Sequence, residues 1–213
     1  MKIYVLLSHI PVLVSILYAA FSFHKLGRHI RIFCSFLLLS GLVQLVSLVL
    51  WFKQVNNLPL LHFYVPLGLA CLTFFYHSIL KSIINRYILW GLLCLFMLFS
   101  IINTLFIQPI NTYNSYALTV ESILIVIYSL SSFIFMLNSI PGGVNAKAIK
   151  SLNWINSGLF IYYTSSLLIF YFGSILAVHS APAIARYAWA MHAFFSVTMY
   201  VFFTIGLWKE QHN

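Results

Sequence analysis

Seven apolar runs, each long enough to cross a lipid bilayer as a helix, fill almost the whole of this chain. An α-helix needs about 20 apolar residues for such a crossing. Hydrophobic residues make up 62% of the sequence and charged residues 6%, which is too little polar material to coat a soluble globule. The chain therefore belongs in a membrane. The runs cover residues 3–22, 31–52, 60–80, 87–107, 116–137, 153–177 and 187–208.

The pattern within these runs distinguishes a helical membrane protein from a β-barrel. Apolar residues fall on every face of each run, whereas barrel strands alternate apolar and polar residues over about ten positions. Polar residues, Pro and Gly separate the runs, as in 108–111 and 141–143, and these residue types end helices. We predict an all-α polytopic protein, a bundle of seven transmembrane helices that forms a single domain over residues 1–213.

The basic residues indicate how such a bundle is oriented. With seven spans, eight of the eleven Lys and Arg residues fall on one side and three on the other. Because Lys and Arg accumulate in cytoplasmic loops, this predicts an N-terminus outside and a C-terminus in the cytoplasm. The eight are Lys25, Arg28, Arg31, Lys81, Arg86, Lys147, Lys150 and Lys209, and the three are Lys2, Lys53 and Arg186.

The net charge of +9 has the same explanation, together with contact with anionic lipid headgroups. No basic run with interleaved aromatic residues indicates a nucleic-acid partner. The lipid bilayer is therefore the predicted surrounding, and assembly into a homo-oligomer is left open.

Glu121 is one of only two acidic residues and lies inside the fifth run. A charged side chain at the centre of a bilayer costs about 2.5 to 3.5 kcal/mol, so such a residue persists only with a partner or a use. Three roles are open. Glu121 locks helices together by pairing with a neighbouring His or Tyr, it serves a ligand or a proton relay, or it coordinates a metal.

Polar residues from several runs are predicted to share one depth in the membrane. A rise of about 1.5 Å per residue places His62 about 4 Å, Glu121 about 8 Å and His192 about 9 Å below the outer face. Tyr64 and Trp189 lie close in sequence to the two histidines. We expect these side chains to form a polar cup that opens to the outside. The second and fourth runs add Gln44, Ser47, Asn103 and Thr104.

Two metal-containing sites are compatible with these residues. His62, Glu121 and His192 are a two-histidine, one-carboxylate set of the kind that binds catalytic zinc with an open position for water. Bis-histidine haem through His62 and His192 is the other arrangement. The chain has no H-E-x-x-H motif, so only the fold can bring these residues together. The sequence predicts no cofactor, and zinc and haem are the two alternatives left open. The other histidines, His9, His24, His29, His77 and His179, are interpreted as interface or loop residues.

Several short motifs spread over the chain carry a resemblance to a known family. They are Asn56-Asn57 followed by Leu61-His62-Phe63-Tyr64, then Glu121, Trp154-Ile155-Asn156-Ser157-Gly158, and His192 with Gly206-Leu207-Trp208-Lys209. Together they resemble a group of small seven-transmembrane-helix proteins common in Bacteroidota, some encoded near sensor histidine kinases. The group has no assigned activity, so the resemblance implies no catalytic residues. It favours sensing and a bacterial inner membrane.

These observations predict a receptor-like or sensory integral membrane protein with an outward-facing polar pocket, which signals through a cytoplasmic partner such as a histidine kinase. The alternatives are a metal-dependent membrane hydrolase acting on lipid and a small proton-coupled transporter. No named reaction is assigned, and an enzyme is the less favoured class. The candidate ligand-binding or proton-relay residues are Glu121, His62, His192, Tyr64 and Trp189.

Overall fold

The computed structural model describes residues 2–139, 146–178 and 181–212, and these parts of the chain contain eight α-helices and no strand. The prediction of an all-α protein is therefore confirmed. The helices are α1 (Lys2–Ser22), α2 (Arg28–Phe52), α3 (Pro59–Leu80), α4 (Arg86–Ile102), α5 (Ser115–Ser139), α6 (Ala146–Tyr171), α7 (Gly173–Val178) and α8 (Pro182–His212).

Local chemistry sets where several of these helices begin and end. Pro59 occupies the first turn of α3, where its missing N–H costs nothing. Asn85 caps α4 by accepting a hydrogen bond from the Tyr87 N–H through its side chain. Beyond α4 the chain continues as one π-helical turn, Asn103–Ile107, which ends where the Gln108 N–H donates to the Asn103 carbonyl at 2.7 Å.

Within the described residues, five helices are long and apolar enough to span a membrane, which supports an integral membrane protein. They are Arg28–Phe52, Pro59–Leu80, Arg86–Ile107, Ser115–Asn138 and Ala183–His212. Each of the seven predicted runs falls on helical residues, but α1 and α6 are not among these five. α6 is 26 residues long, and polar side chains such as Asn153 and Asn156 reduce its apolar character.

The sixth predicted run, 153–177, is not one helix. α6 ends at Tyr171 and the short helix α7 starts at Gly173. At Gly173 a Cβ atom would collide with the ring of Tyr113, so a residue with a side chain does not fit beside that ring. The break thus lies where the chain passes close to the connection between α4 and α5.

Contacts between helices fix their directions. Ser15 of α1 contacts Thr204 of α8 and Tyr18 contacts Gln211, so α1 and α8 run in parallel. Ser166 of α6 contacts His192 of α8, whereas Ser151 contacts Gly206, so α6 and α8 are antiparallel. The helices α1, α3, α5 and α8 start at one end of the bundle, which we call the starting face. α2 starts and α3 ends at the opposite end of the bundle. We call that end the basic face, after its Lys and Arg residues. It carries Lys25, Arg28, Arg31, Lys81, Arg86, Lys150 and Lys209.

Small residues allow α6 and α8 to pack closely. A Cβ at Gly158 would lie 2.9 Å from the Phe202 Cβ, and a Cβ at Gly206 would lie 2.7 Å from the Ile155 Cγ1. Close approach over small residues is typical of membrane helix pairs, which gain stability from van der Waals contact. α8 is thereby held tightly along α6.

A polar cluster at the centre of the bundle joins α3, α5 and α6. The Tyr76 hydroxyl donates to the Asn156 Oδ1 at 2.9 Å, and the Ser129 hydroxyl contacts the same oxygen at 2.8 Å. The Asn156 Nδ2 donates to the Ser129 carbonyl at 3.0 Å. All three side chains are fully buried. We call this set, Tyr76, Ser129 and Asn156, the central cluster; its polar groups satisfy one another without water.

Candidate functional site

A cavity of about 280 Å³ lies near the starting face, between α1, α2, α3, α6 and α8. Among the described residues that line it, none is Asp, Glu, Lys or Arg. Its polar lining is made instead of neutral groups that both donate and accept hydrogen bonds, together with two imidazoles. The cavity therefore suits a small molecule with hydrogen-bonding groups. The polar lining residues are His9, Ser40, Gln44, Ser47, Tyr64, Tyr162, His192, Ser196 and Tyr200.

Two hydrogen bonds hold the wall that α2 contributes. The Ser40 hydroxyl pairs with the Tyr64 hydroxyl at 2.9 Å, which ties α2 to α3. The Gln44 Nε2 donates to the Tyr200 hydroxyl at 2.9 Å, which ties α2 to α8. Gln44 thereby belongs to the cavity wall that α2 and α8 share.

His192 is held by aromatic rings at the wall between α6 and α8. Its ring centroid lies 5.5 Å from that of Tyr162, 5.2 Å from that of Phe170 and 6.0 Å from that of Trp189. Its Nδ1 lies 3.3 Å from the Ser166 hydroxyl oxygen. That contact involves one of the two ring nitrogens and ties α6 to α8.

Trp189 is one step further from the cavity. It is half-buried and packs edge-on against Tyr113, with ring centroids 5.4 Å apart. Tyr113 belongs to the connection between α4 and α5, where burial raises the pKa of its phenol and so keeps it neutral. Trp189 therefore braces His192 rather than lining the cavity.

Glu121 is buried in α5, with only 1% of its surface exposed, and it faces α3. A Cβ added at Gly68 would lie 3.3 Å from the Glu121 Oε1, so a glycine makes room for the carboxyl. Within the described parts of the chain, this oxygen is buried and has no hydrogen-bond partner. The pairing with a neighbouring His or Tyr that a helix-locking role requires does not reach Oε1.

Glu121 nevertheless lies directly behind the cavity wall. Tyr64 and Tyr162 both line the cavity, and both are within electrostatic reach of the Glu121 carboxyl. The two tyrosines are thus shared between the cavity and the buried acid. Tyr128 and Ser132, further along α5, are buried like Glu121.

His62 belongs to a different polar group on the other side of α3. Its Nε2–H donates to the Thr112 carbonyl at 3.1 Å, and its Nδ1 lies 2.9 Å from the Thr104 hydroxyl oxygen. Both ring nitrogens are therefore used by α4 and by the connection that follows it. The expected single cup is divided: Gln44, Ser47, Tyr64 and His192 line the cavity, whereas His62 and Thr104 lie apart from it.

Asn103 joins a buried amide network next to His62. Its Nδ2 donates to the Asn114 Oδ1 at 2.8 Å and contacts the Gln108 Oε1 at 3.2 Å. The Gln108 Nε2 in turn donates to the Ser115 hydroxyl at 2.7 Å. This network ties the π-helical end of α4 to the start of α5. The sequence reading treated 108–111 only as a helix-breaking joint.

The placement of these residues also bears on the two metal hypotheses. The described residues contain no group of three or more His, Cys, Asp or Glu side chains positioned to hold a metal ion. His62, Glu121 and His192 thus do not form the proposed zinc set. A bis-histidine haem would in addition need a ring nitrogen of His62, and both are hydrogen-bonded to threonines.

Some lining residues were not identified from the sequence. His9 had been interpreted as an interface or loop residue, but it lines the cavity. Tyr162 and Tyr200 carry no motif that distinguishes them from the other tyrosines, of which the chain has 13 in all. Ser196 is not among the site residues predicted from the sequence. His179, interpreted as a loop residue, lies outside the described residues.

Comparisons with protein-family models, with characterised proteins and with solved structures each find no match for this chain. The resemblance to the small seven-helix proteins of Bacteroidota therefore stays a prediction.

Proposed function

We propose that this chain is a receptor-like membrane protein of the bacterial inner membrane, in which a small polar molecule binds the cavity near the starting face. In this proposal all seven long helices cross the membrane, with the N-terminus outside and the C-terminus in the cytoplasm. The distribution of basic residues supports that orientation, because the basic face then lies in the cytoplasm. The cavity in turn opens toward the outside.

The observation that carries the proposal is the meeting of five helices at a cavity whose described lining includes many polar side chains but no Asp, Glu, Lys or Arg. Polar stripes in a membrane bundle normally face protein or a water-filled space. A molecule hydrogen-bonded to Gln44, His192 and Tyr64 bridges α2, α8 and α3. Occupancy therefore favours one relative arrangement of these helices over others, which is the requirement for a receptor.

α8 provides the route from the cavity to the cytoplasm. It is continuous from His192 at the cavity to Lys209 at the basic face, a distance of about 25 Å at 1.5 Å per residue. Gly158 and Gly206 keep it in close contact with α6 over this length. A small shift at the cavity is thus transmitted to the basic face, where a cytoplasmic partner such as a histidine kinase binds.

Cysteine labelling tests the cavity and the orientation together. The three native cysteines, Cys34, Cys71 and Cys94, are free and are first replaced by Ala. In that background Ser196→Cys is treated in intact cells with a membrane-impermeant methanethiosulfonate reagent. We expect labelling from outside the cell. Amino acids, monosaccharides and nucleobases are then screened for protection of the introduced thiol, and a bound ligand slows its labelling.

Two matched variants control this experiment. Ser129→Cys places a thiol in the fully buried central cluster and should resist the reagent. Lys81→Cys places one on the basic face and should react only after the membrane is permeabilised. Labelling of Lys81→Cys in intact cells would mean that the basic face lies outside, which is the reverse of the proposed orientation. If Ser196→Cys reacted as little as Ser129→Cys, the cavity would not be accessible from outside, and the receptor proposal would be wrong.

Proton-coupled transport is the second candidate, because Glu121 is a buried carboxyl with an unpartnered oxygen behind two cavity tyrosines. A titrating relay needs such a group. Glu121→Gln keeps the size of the side chain but carries no exchangeable acidic proton. In proteoliposomes with an internal pH dye, solute-dependent proton uptake that is lost in Glu121→Gln would favour the carrier. If the wild type shows no solute-dependent proton uptake, the receptor proposal is favoured over the carrier. The lipid hydrolase is not proposed, since its three metal ligands are not grouped.

A further inference from the structure

A second polar pocket, of about 360 Å³, lies on the basic face between the start of α2 and the end of α3. Its polar lining consists of Arg28, His29, His77, Ser78 and Lys81. It shares no residue with the cavity near the starting face. A ligand bound in this pocket is therefore distinct from the molecule proposed to bind the cavity.

The pocket concentrates positive charge around one space. Arg28 and Lys81 are both within electrostatic reach of His29, so the two permanent cations and this imidazole share one neighbourhood. The Ser78 hydroxyl donates to the Phe75 carbonyl at 2.6 Å, so its oxygen accepts from the His29 Nδ1 at 2.9 Å. That contact ties α2 to α3 and holds the pocket's shape.

No carboxylate neutralises this charge from within the pocket lining. The chain has only two acidic residues, and Glu121 is buried in the bundle interior. The other, Glu210 of α8, lies beside the pocket, where its Oε1 accepts from the Gly27 N–H at 3.2 Å, but it is not among the residues that line the pocket. An anion from outside the chain is therefore the natural counter-charge for Arg28 and Lys81.

The pocket also has an apolar side that faces the bilayer. Ile32 and Phe74 complete its lining, and Phe74 is 51% exposed on the outside of the bundle. Trp90 of α4 packs against Phe74 with ring centroids 4.8 Å apart and against His77 at 5.4 Å. Cationic groups at the membrane boundary above an apolar aromatic surface match an anionic headgroup with acyl chains below it.

We propose that Arg28, His29, His77, Ser78 and Lys81 form a binding site for a phosphate group at the basic face. Guanidinium and ammonium groups are the side chains that bind phosphate oxygens most strongly, and imidazole and hydroxyl groups add hydrogen bonds. The phosphate belongs either to the headgroup of an anionic phospholipid or to a soluble phosphate compound. Both use the same cationic groups, and only the lipid also uses the Ile32 and Phe74 surface.

The test compares the full chain with a variant that loses both permanent cations, Arg28→Gln/Lys81→Gln. Native mass spectrometry measures retention of phosphatidylglycerol and of phosphatidylcholine, and calorimetry measures binding of inorganic phosphate. We expect the wild type to retain phosphatidylglycerol in preference to phosphatidylcholine. Each lost cation should weaken binding about tenfold, as expected for one charge-assisted hydrogen bond.

The matched control is Lys25→Gln/Lys150→Gln, which removes two positive charges from the same face but none from the pocket. It should retain phosphatidylglycerol as the wild type does. Phosphatidylglycerol retention that only the pocket variant loses assigns the site to a lipid. Phosphate binding that only the pocket variant loses, without lipid retention, assigns it to a soluble compound.

Equal binding by the wild type, the pocket variant and the control would overturn the proposal, as would equal retention of the two lipids by the wild type. The size-exclusion profile and the helical content of each variant show whether it is still folded. Lys81→Gln alone, at an exposed position beyond the end of α3, serves as the variant least able to disturb folding. If it binds phosphatidylglycerol and phosphate as tightly as the wild type, the role assigned to Lys81 is wrong.

Discussion

The central cluster and Glu121 are both polar, both buried and both in contact with α3, yet they differ in how their hydrogen bonds are satisfied. In the central cluster, Asn156 bonds with Tyr76 and Ser129 through both ends of its amide. Glu121 keeps one oxygen that is buried and unpartnered. Burial alone therefore does not separate structural from functional polar residues in this bundle.

This difference in hydrogen bonding indicates which buried polar residues are candidates for a function. A polar group whose partners are all supplied by the protein stabilises helix association, at roughly 0.6 to 1.7 kcal/mol for each interhelical hydrogen bond. A buried polar group with an open valence costs free energy, about 1 to 3 kcal/mol. Such a cost is tolerated where the group has another use, and Glu121 adjoins the wall of a cavity.

Replacing Asn156 is the strongest test of the structural side of this contrast. Asn156→Leu keeps the side-chain size but leaves the Tyr76 and Ser129 hydroxyls without their shared acceptor. We expect the free energy of unfolding to fall by about 2 kcal/mol, because two buried groups each lose a partner. Steric-trapping or denaturant titration in lipid bicelles provides the measurement.

Asn153→Leu is the matched control for that loss, since Asn153 lies one turn earlier on α6 and is exposed. It should change stability little. If the two substitutions have equal effects, the hydrogen bonds of the central cluster add nothing measurable, and the contrast with Glu121 fails.

Replacing Glu121 should act in the opposite direction. Glu121→Leu removes a buried oxygen that has no partner and places an apolar side chain against Gly68. We expect the free energy of unfolding to rise by about 1 kcal/mol, the lower end of the cost of an unsatisfied buried group. Glu121→Gln, which keeps a polar group of the same size, should gain less. If Glu121→Leu instead lowered the free energy of unfolding as much as Asn156→Leu does, Glu121 would have a structural role like that of the central cluster.

The positions of the helices could be predicted from the sequence because they depend on local information. Apolar runs end at Pro, Gly and Asn, and the structure begins α3 at Pro59 as that pattern indicates. The close approach of Gly173, at the interruption between α6 and α7, to the ring of Tyr113 could not be predicted, because Tyr113 belongs to a connection that is distant in sequence. Helix formation likewise does not determine how many runs cross the membrane: in the parts of the chain that the structure describes, five helices are long and apolar enough to do so.

The site was predicted only in part, because sequence gives the depth of a residue but not the direction in which it points. His62, Glu121 and His192 were placed at similar depths, and depth is fixed by the rise of the helix. Their neighbours differ: His62 faces Thr104 in the π-helical turn after α4, Glu121 faces Gly68 of α3, and His192 faces Ser166 of α6. Which helices are adjacent is decided by packing over the whole bundle.

The smallest expected effect, and the most specific, is the coupling between Gly68 and Glu121. A Cβ at position 68 would lie 3.3 Å from Oε1, tighter than ordinary van der Waals contact. In a helix interior Gly→Ala otherwise gains up to about 1 kcal/mol. We expect Gly68→Ala to gain nothing in the wild type but to gain that amount in a Glu121→Ala background, a coupling energy of about 0.5 to 1 kcal/mol. Gly91→Ala, with nothing within 4 Å of the new Cβ, should give the same gain in both backgrounds. Additivity at Gly68 as well would mean that the carboxyl moves freely out of the way, so that the glycine does not position it behind the cavity wall.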